Sequence, residues 1–421
     1  MQPTEKQFLN IYFQVHQPRR LKKYQFFDIG SDAAYFDGEL NRDIFRRIAE
    51  ACYLPANRML LRLIEKLPDI RVTFSISGVA LEQMQRFSPE VMSSFRQLAQ
   101  TGSVEFLAET YYHSLAYFIN YDEFTKQVAK HVSKMDELLG VRPAVFRNTE
   151  LIYSDGIGQA VADLGFKGIY IDGIQEVLNG RTPNALYKHP EEELVLFPRN
   201  FQLSDDIAFR FSDTNWSEWP LSGKKFTGWL SRIPKRERFV MLGMDYETFG
   251  EHKKANSGIF AFFEELVTEL IRARQFTFIN PSEVMQDIRP AKIISSDRAI
   301  SWADEARDLS AWLGNDMQRD AFDSLYRLHD LILESGDVLL RNSYRYLQTS
   351  DHFYYMATKG GADGNVHQYF SPYKSPYEAF MNFMNVITDL ELKAVRAIQK
   401  KVDIVSFDSD RRVTSRQVKM K

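Results

Sequence analysis

Runs rich in β-branched and aromatic residues alternate along the first part of the chain with segments whose apolar residues recur three and four apart. This is the pattern of β/α units around a parallel sheet. Strands are predicted at Phe8 to Val15, Arg71 to Ile76, Val104 to Ala108, Ala144 to Arg147, Gly168 to Ile171, Phe239 to Gly243 and Phe276 to Ile279. The covering helices are predicted at Asp43 to Leu67, Glu90 to Gln100, Tyr121 to Leu139, Asp155 to Leu164 and Ser257 to Arg274. The stretch 172–238, with three tryptophans and several prolines, is too long for one crossover and reads as a functional insertion. Beyond Pro290 the strand signal stops, and Asp316 to Leu340 and Ser375 to Lys401 read as long amphipathic helices. The expected organisation is therefore a barrel over 1–290, a helical domain over 291–402 and a charged, loosely held tail over 403–421.

Composition narrows the class. The 421 residues carry 53 Lys and Arg against 56 Asp and Glu, a net charge of −3 with the signs interspersed, so no basic stripe invites nucleic acid. Aromatic residues make up 14%, more ring surface than a minimal core requires, and part of it is expected to face a ligand. The single cysteine, Cys52, excludes an intrachain disulfide and every cysteine-based zinc site, and is expected in a helix core. The N-terminal MQPTEKQFLN lacks a secretory apolar run, and no later window is apolar for long enough to span a bilayer. The expectation is a cytoplasmic protein with no membrane partner.

In a parallel barrel the residues just past the carboxyl ends of the strands face the catalytic mouth. Here those residues are mainly acidic. The first strand runs into His16 and Gln17, the third carries Glu105 and leads to Glu109, the fourth leads to Asn148 and Glu150, and the Phe239 strand leads to Asp245 and Glu247. Two carboxylates in different environments suit glycoside hydrolysis, one attacking the anomeric carbon and the other protonating the leaving oxygen. Glu247, two residues from Asp245, is expected to raise the proton affinity of Asp245 by like-charge repulsion, while Arg147 is expected to keep Glu150 ionised. Any one such carboxylate could instead cap a helix or pair with an arginine, so the conjunction carries the argument.

Other chemistries find less support. The eight histidines include no His-x-x-x-His pair, so no metal site is expected. Gly156 to Val161 lacks the third glycine of a dinucleotide fingerprint, and neither a P-loop nor a G-x-S-x-G elbow occurs. Trp216 and Trp219, in a polar stretch with Asp213, Asn215 and Glu218, are candidates to stack on sugars, whereas Trp302 and Trp312 read as packing between the domains.

Five segments are shared with a known family: FQVHQP (13–18), GSVEFLAETYYHSL (102–115), FRNTELIYSDGIG (146–158), MDYETFGEH (244–252) and LQTSDHFYYM (347–356). In their order and content the chain resembles glycoside hydrolase family 57, in particular its α-amylase-type members. The resemblance implies an incomplete, seven-stranded parallel β/α barrel followed by a C-terminal helical domain, and retaining chemistry on α-glucans or maltooligosaccharides without a cofactor or metal. By motif position it makes Glu150 the nucleophile and Asp245 the general acid/base. His16, Glu105 and Glu247 would line the subsite of the cleaved sugar, and Asp351 and His352 would come from the helical domain. Many relatives have a second histidine two residues before the HQP histidine; here that position is Gln14, whose amide can bond a sugar hydroxyl but carries no charge.

Hydrolysis of α-1,4-glucans is the leading reading. Transfer to a sugar acceptor, by a 4-α-glucanotransferase or branching enzyme, uses the same intermediate. A glucan-binding protein with negligible turnover and a metal-dependent polysaccharide deacetylase are the other classes, the last disfavoured by the histidine spacing. The preferred glucan and the oligomeric state are not encoded in any motif.

Overall fold

A computed structural model describes residues 6–31, 34–290 and 292–418, with side chains described as far as residue 403. The chain divides into two compact units, one made of 1–18 and 39–309 and the other of 19–38 and 310–421.

Among the described residues the first unit holds nine strands: β1 (Gln7–Val15), β2 (Val72–Ile76), β3 (Val104–Leu107), β4 (Val145–Arg147), β5 (Gly168–Asp172), β6 (Tyr187–Lys188), β7 (Val195–Arg199), β8 (Phe239–Asp245) and β9 (Phe276–Phe278). One sheet runs β3-β2-β1-β8 and the other β4-β5-β7-β6, all parallel except the β6–β7 pair. Two seams join them. Ala108 bridges to Phe146 through Ala108 N–H to Val145 O (3.0 Å) and Arg147 N–H to Ala108 O (2.8 Å), and Asn200 N–H reaches Met241 O (2.9 Å). The result is a ring of seven parallel strands, β1-β2-β3-β4-β5-β7-β8. Among the described residues no eighth strand completes a full barrel, and β9 pairs with the amino half of β1.

All nine residues of β1 are buried, which is why it reads as a nearly continuous apolar run. Its alternate residues face different cores. Leu9, Ile11, Phe13 and Val15 pack outward against the helical layer, while Phe8 and Tyr12 join the barrel interior with Leu107, Val145, Tyr170, Phe197 and Met241. Asn10 and Gln14 share the inward period and are buried among hydrogen-bonding groups: Asn10 donates to Thr73 Oγ1 and Ile279 O, and Gln14 Oε1 accepts from Tyr12 Oη (2.8 Å).

The seven strands foreseen from sequence all occur, but β6 and β7 lie inside the 172–238 stretch, which therefore supplies a barrel strand. Pro198 and Arg199 disguise β7, since proline removes a ladder donor and a buried arginine breaks the apolar run. The expected helix Asp43 to Leu67 is Gly38–Ile48 and Leu54–Lys66 joined by a π-helical turn, Ala49–Tyr53, that carries the buried Cys52. Helix Gly78–Phe87 was not foreseen, although Ser77 caps it by accepting from Ala80 N–H (3.2 Å).

The second unit is helical. The run expected from Asp316 to Leu340 is broken into Asp316–Arg327, His329–Ser335 and Val338–Leu347; the second break falls where Gly336 turns left-handed (φ +62°) and Asp337 starts a new helix by accepting from Leu339 and Leu340 N–H. The last helix runs Pro376–Val418, through part of the expected tail. Residues 19–31 and 34–38 are strapped to it: Asp389 accepts from Gly30 N–H (2.6 Å), Tyr35 Oη (2.6 Å) and Lys393 Nζ (2.7 Å), and Asn382 Nδ2 donates to Lys22 O (2.9 Å).

Candidate active site

Glu150 follows β4 in a turn that only the surrounding bonds can hold. It and Leu151 sit at φ +56° and +52°, a left-handed region that costs an L side chain roughly 1–2 kcal/mol per residue. The turn is fixed by Leu151 N–H to Asn148 O (3.0 Å), Asn148 Nδ2 to Ile152 O (3.0 Å) and Trp302 N–H to Glu150 O (3.2 Å). Backbone strain held in this way is common where a side chain must be aimed.

The Glu150 carboxylate, 23% exposed, accepts from two donors: His113 Nε2 at 2.9 Å on Oε1 and Trp302 Nε1 at 2.6 Å on Oε2. Burial works to raise its pKa, but the His113 bond and charge, the Arg147 charge and the Trp302 bond outweigh burial and bring it below the ordinary carboxylate value. Arg147 is fully buried, its guanidinium 5.0 Å from the Trp302 ring centre.

Asp245 ends β8, beside Gln14 of β1 in the sheet register. Burial, then the Glu150 charge, pushes its carboxyl up to about 6, against the opposing pull of Arg147, His113 and Arg199. The like charge is thus Glu150 and not, as the sequence suggested, Glu247. Glu247 is itself raised to about 8 by burial and by the Asp245 charge. It is a neutral acid at pH 7, bonded by Tyr53 Oη and by Gln17 Nε2 (3.3 Å).

His16, after β1, bonds Ser77 Oγ through Nδ1 (2.7 Å) and stacks on His113 with ring centres 4.0 Å apart. His113 was not among the expected site residues. Its Nδ1 faces Glu109 Oε2 at 3.0 Å, and the pair was visible in the sequence as Glu109-x-x-x-His113, but without the left-handed turn at His113 (φ +51°) that aims the ring. Trp302 was also missed as a site residue. It is held over the barrel by Arg307, whose Nη1 donates to Trp302 O (2.5 Å) and pairs with Asp172 (3.1 Å).

Glu105, Trp216 and Trp219 are not brought to this group. Glu105 lies two residues into β3, level with Thr73, and its carboxylate accepts from Ser282 N–H (3.0 Å) and Ser282 Oγ (2.6 Å) at the start of helix Pro281–Asp287. It caps that helix, because a four-residue strand puts its second residue near the amino end and not at the mouth. Trp216 packs on the outer helical layer, edge to face with Trp229 (5.9 Å), in a cavity of about 440 Å³ with Asn200, Asp206, Arg210 and Glu218. Trp219 stands 47% exposed. Asp351 and His352 open the helix Asp351–Tyr354 of the second unit, with His352 buried against Phe383 at 5.5 Å between ring centres.

Among the described residues no group of three or more His, Cys, Asp or Glu could hold a metal ion, and no helix is long and apolar enough to cross a membrane. The arrangement offers one carboxylate held ionised and a second whose affinity for a proton is raised, the division of labour that acid/base-assisted nucleophilic displacement needs.

Known proteins share this fold. A branching enzyme from Thermococcus kodakaraensis superposes with TM-score 0.67 at 13% identity, covering 86% of this chain and 87% of that one. An α-amylase from Thermotoga maritima does so with TM-score 0.59 at 13% identity, covering 92% and 99%. In sequence the chain is 40% identical over 395 residues to a Methanocaldococcus jannaschii protein named "Putative alpha-amylase", covering 90% of this chain and 83% of that protein. Residues 10–297 match the model of glycosyl hydrolase family 57. The incomplete seven-stranded barrel, the helical C-terminal unit and these matches establish that the chain is a glycoside hydrolase belonging to family 57.

Proposed function

We propose that the chain is a retaining enzyme of the α-amylase type, acting on α-1,4-glucans through a glycosyl intermediate on Glu150. One observation carries the reading: His113 Nε2 (2.9 Å) and Trp302 Nε1 (2.6 Å) hold the Glu150 carboxylate past β4, while burial and the Glu150 charge raise the proton affinity of Asp245 at the end of β8. In the first step Asp245 gives its proton to the glycosidic oxygen as Glu150 attacks the anomeric carbon. In the second Asp245, now ionised, takes a proton from the incoming water as the ester breaks. This double displacement requires the two carboxyls to lie roughly 5 to 5.5 Å apart.

The neutral Glu247 can donate to and accept from a sugar hydroxyl. Gln14 Nε2, buried and without an acceptor among the described residues, is a donor placed beside Asp245, and His16 lines the same end of β1. The family resemblance assigns Asp351 and His352 to glucan binding, and Asp351→Ala is expected to raise KM. A cytoplasmic setting belongs to this reading and rests on the sequence.

Wild type, Glu150→Gln and Asp245→Asn incubated with maltoheptaose test the proposal. Shorter products alone from wild type, with silent variants, support a hydrolase. Shorter and longer products together would make the chain a glucanotransferase, and an active Glu150→Gln would remove the nucleophile.

A further inference from the structure

The nucleophile's neighbour, His113, is bracketed by carboxylates. Its Nδ1 lies 3.0 Å from Glu109 Oε2 and its Nε2 2.9 Å from Glu150 Oε1. A neutral imidazole carries one N–H, so one of these contacts would set a nitrogen lone pair against a carboxylate oxygen. Burial opposes the charge on both carboxylates, but the His113 bonds and the Arg147 charge outweigh it and lower both pKa values, and between two ionised carboxylates only the doubly protonated ring satisfies both contacts.

We propose that Glu109, His113 and Glu150 form a buried charge relay in which the His113 imidazolium keeps the nucleophile ionised and fixed in direction before any glucan binds. The inference rests on the reading of Glu150 as the nucleophile, and it makes His113 a positioning residue.

The two turns that carry the relay are tied together independently of it. Thr110 and Thr149 hydroxyls meet at 2.9 Å, Thr149 Oγ1 donates to Ser114 O (2.8 Å), and Ser114 N–H donates to Thr110 Oγ1 (3.0 Å). With the turns locked, the ring has one place to go, and both His113 and Glu150 accept left-handed backbone to meet there. Glu109 is fully buried, so its charge depends on His113 and Arg147. Behind it stands His131, which accepts from Glu109 N–H at Nδ1 (3.3 Å) and so donates from Nε2 to Ile76 O (2.8 Å); burial lowers its pKa and it stays neutral.

The charged and titratable groups around His113 are Glu109 past β3, Glu150 past β4, Arg147 on β4, Asp245 ending β8 and the stacked His16 past β1. Burial opposes the charge on His113, but the two carboxylate bonds prevail and raise its pKa to about 9. When Glu150 becomes an ester its charge is lost, while Glu109 keeps the imidazolium paired. The relay thus survives the glycosyl intermediate and is ready when the carboxylate is released.

The test combines spectroscopy and kinetics on the full chain. In protein labelled with ¹⁵N-histidine, both His113 ring nitrogens should hold protonated shifts through pH 8, and Glu109→Gln should bring that transition down in pH. His113→Asn, chosen because asparagine tolerates the left-handed backbone, should lose about 100-fold in kcat with KM within about threefold, a loss in the range set by one positioned ionic hydrogen bond. Its acid limb of kcat/KM should move up by about one pH unit or more, since Glu150 would then lose a cation and a donor. A His113 ring that titrates like a free histidine would overturn the proposal. So would a folded His113→Asn whose acid limb stays in place. Full activity in Glu150→Gln would instead strike down the nucleophile assignment, while the nitrogen shifts would still report the charge on His113.

Discussion

Replacing Trp302 by phenylalanine removes the indole N–H together with the smaller fused ring and keeps an aromatic side chain at the position. A smaller aromatic face remains towards Arg147 (5.0 Å from the indole ring) and Arg199 (5.4 Å), but the 2.6 Å bond from Nε1 to Glu150 Oε2 is lost. A hydrogen bond to a charged acceptor is worth about 1.5–3 kcal/mol. Because Glu150 is 23% exposed, water can replace part of it, and about 1–1.5 kcal/mol is the amount the carboxylate should lose. At 1.36 kcal/mol per pKa unit this raises the Glu150 pKa by about one unit. The group must be ionised to attack, so the acid limb of kcat/KM should shift upward by about one pH unit. Activity in the acid limb should fall about tenfold, with a smaller loss near pH 7. The assay is the pH dependence of maltooligosaccharide cleavage by wild type and Trp302→Phe, with thermal unfolding as the control for folding. An unmoved acid limb in a folded variant would refute the claim that Trp302 tunes the nucleophile.

Glu150→Gln removes the charge that helps hold Asp245 up at about 6, so the Asp245 pKa should fall in that variant, as followed by ¹³C carboxyl shifts. Glu105→Ala should cost about 1 kcal/mol of stability through the lost cap at Ser282 and leave kcat unchanged, as thermal melting and assay together would show. Asp389→Ala should destabilise the second unit by about 2–4 kcal/mol and expose segment 19–31 to protease, because it strands the Gly30, Tyr35 and Lys393 donors. Burial raises the Asp389 carboxyl, but the Lys393 and Tyr35 bonds overcome it and the pKa is lowered. Its stabilising effect is therefore full above the ordinary aspartate range and is lost as pH falls through the depressed value, which acid unfolding of wild type against Asp389→Ala would detect.

Much of the barrel was legible because a strand buried on both faces is written as an apolar run, as in β1 and β8. What escaped notice breaks that rule. β7 carries Pro198 and the buried Arg199, whose partners Asp172 and Asp205 lie elsewhere in the sequence. Strand-end logic located Glu150, Asp245, Glu247 and His16, but it placed Glu105 at the mouth because the length of β3 is set by pairing, not by composition. His113 and Trp302 needed tertiary information: one depends on a left-handed turn at a residue that is not glycine, and the other reaches Glu150 from 152 positions away. The sources of the electrostatic tuning were likewise hidden. Asp245 feels Glu150 across the barrel more than its near neighbour Glu247.

The central claim is that a sugar becomes attached to Glu150. A fluorinated maltosyl fluoride that forms the glycosyl ester quickly and releases it slowly, followed by peptide mapping, tests this directly. One added fluoromaltosyl (disaccharide) mass is expected on the peptide containing Glu150, absent in Glu150→Gln. A label on another carboxylate, or turnover by inversion with no ester formed, would contradict it.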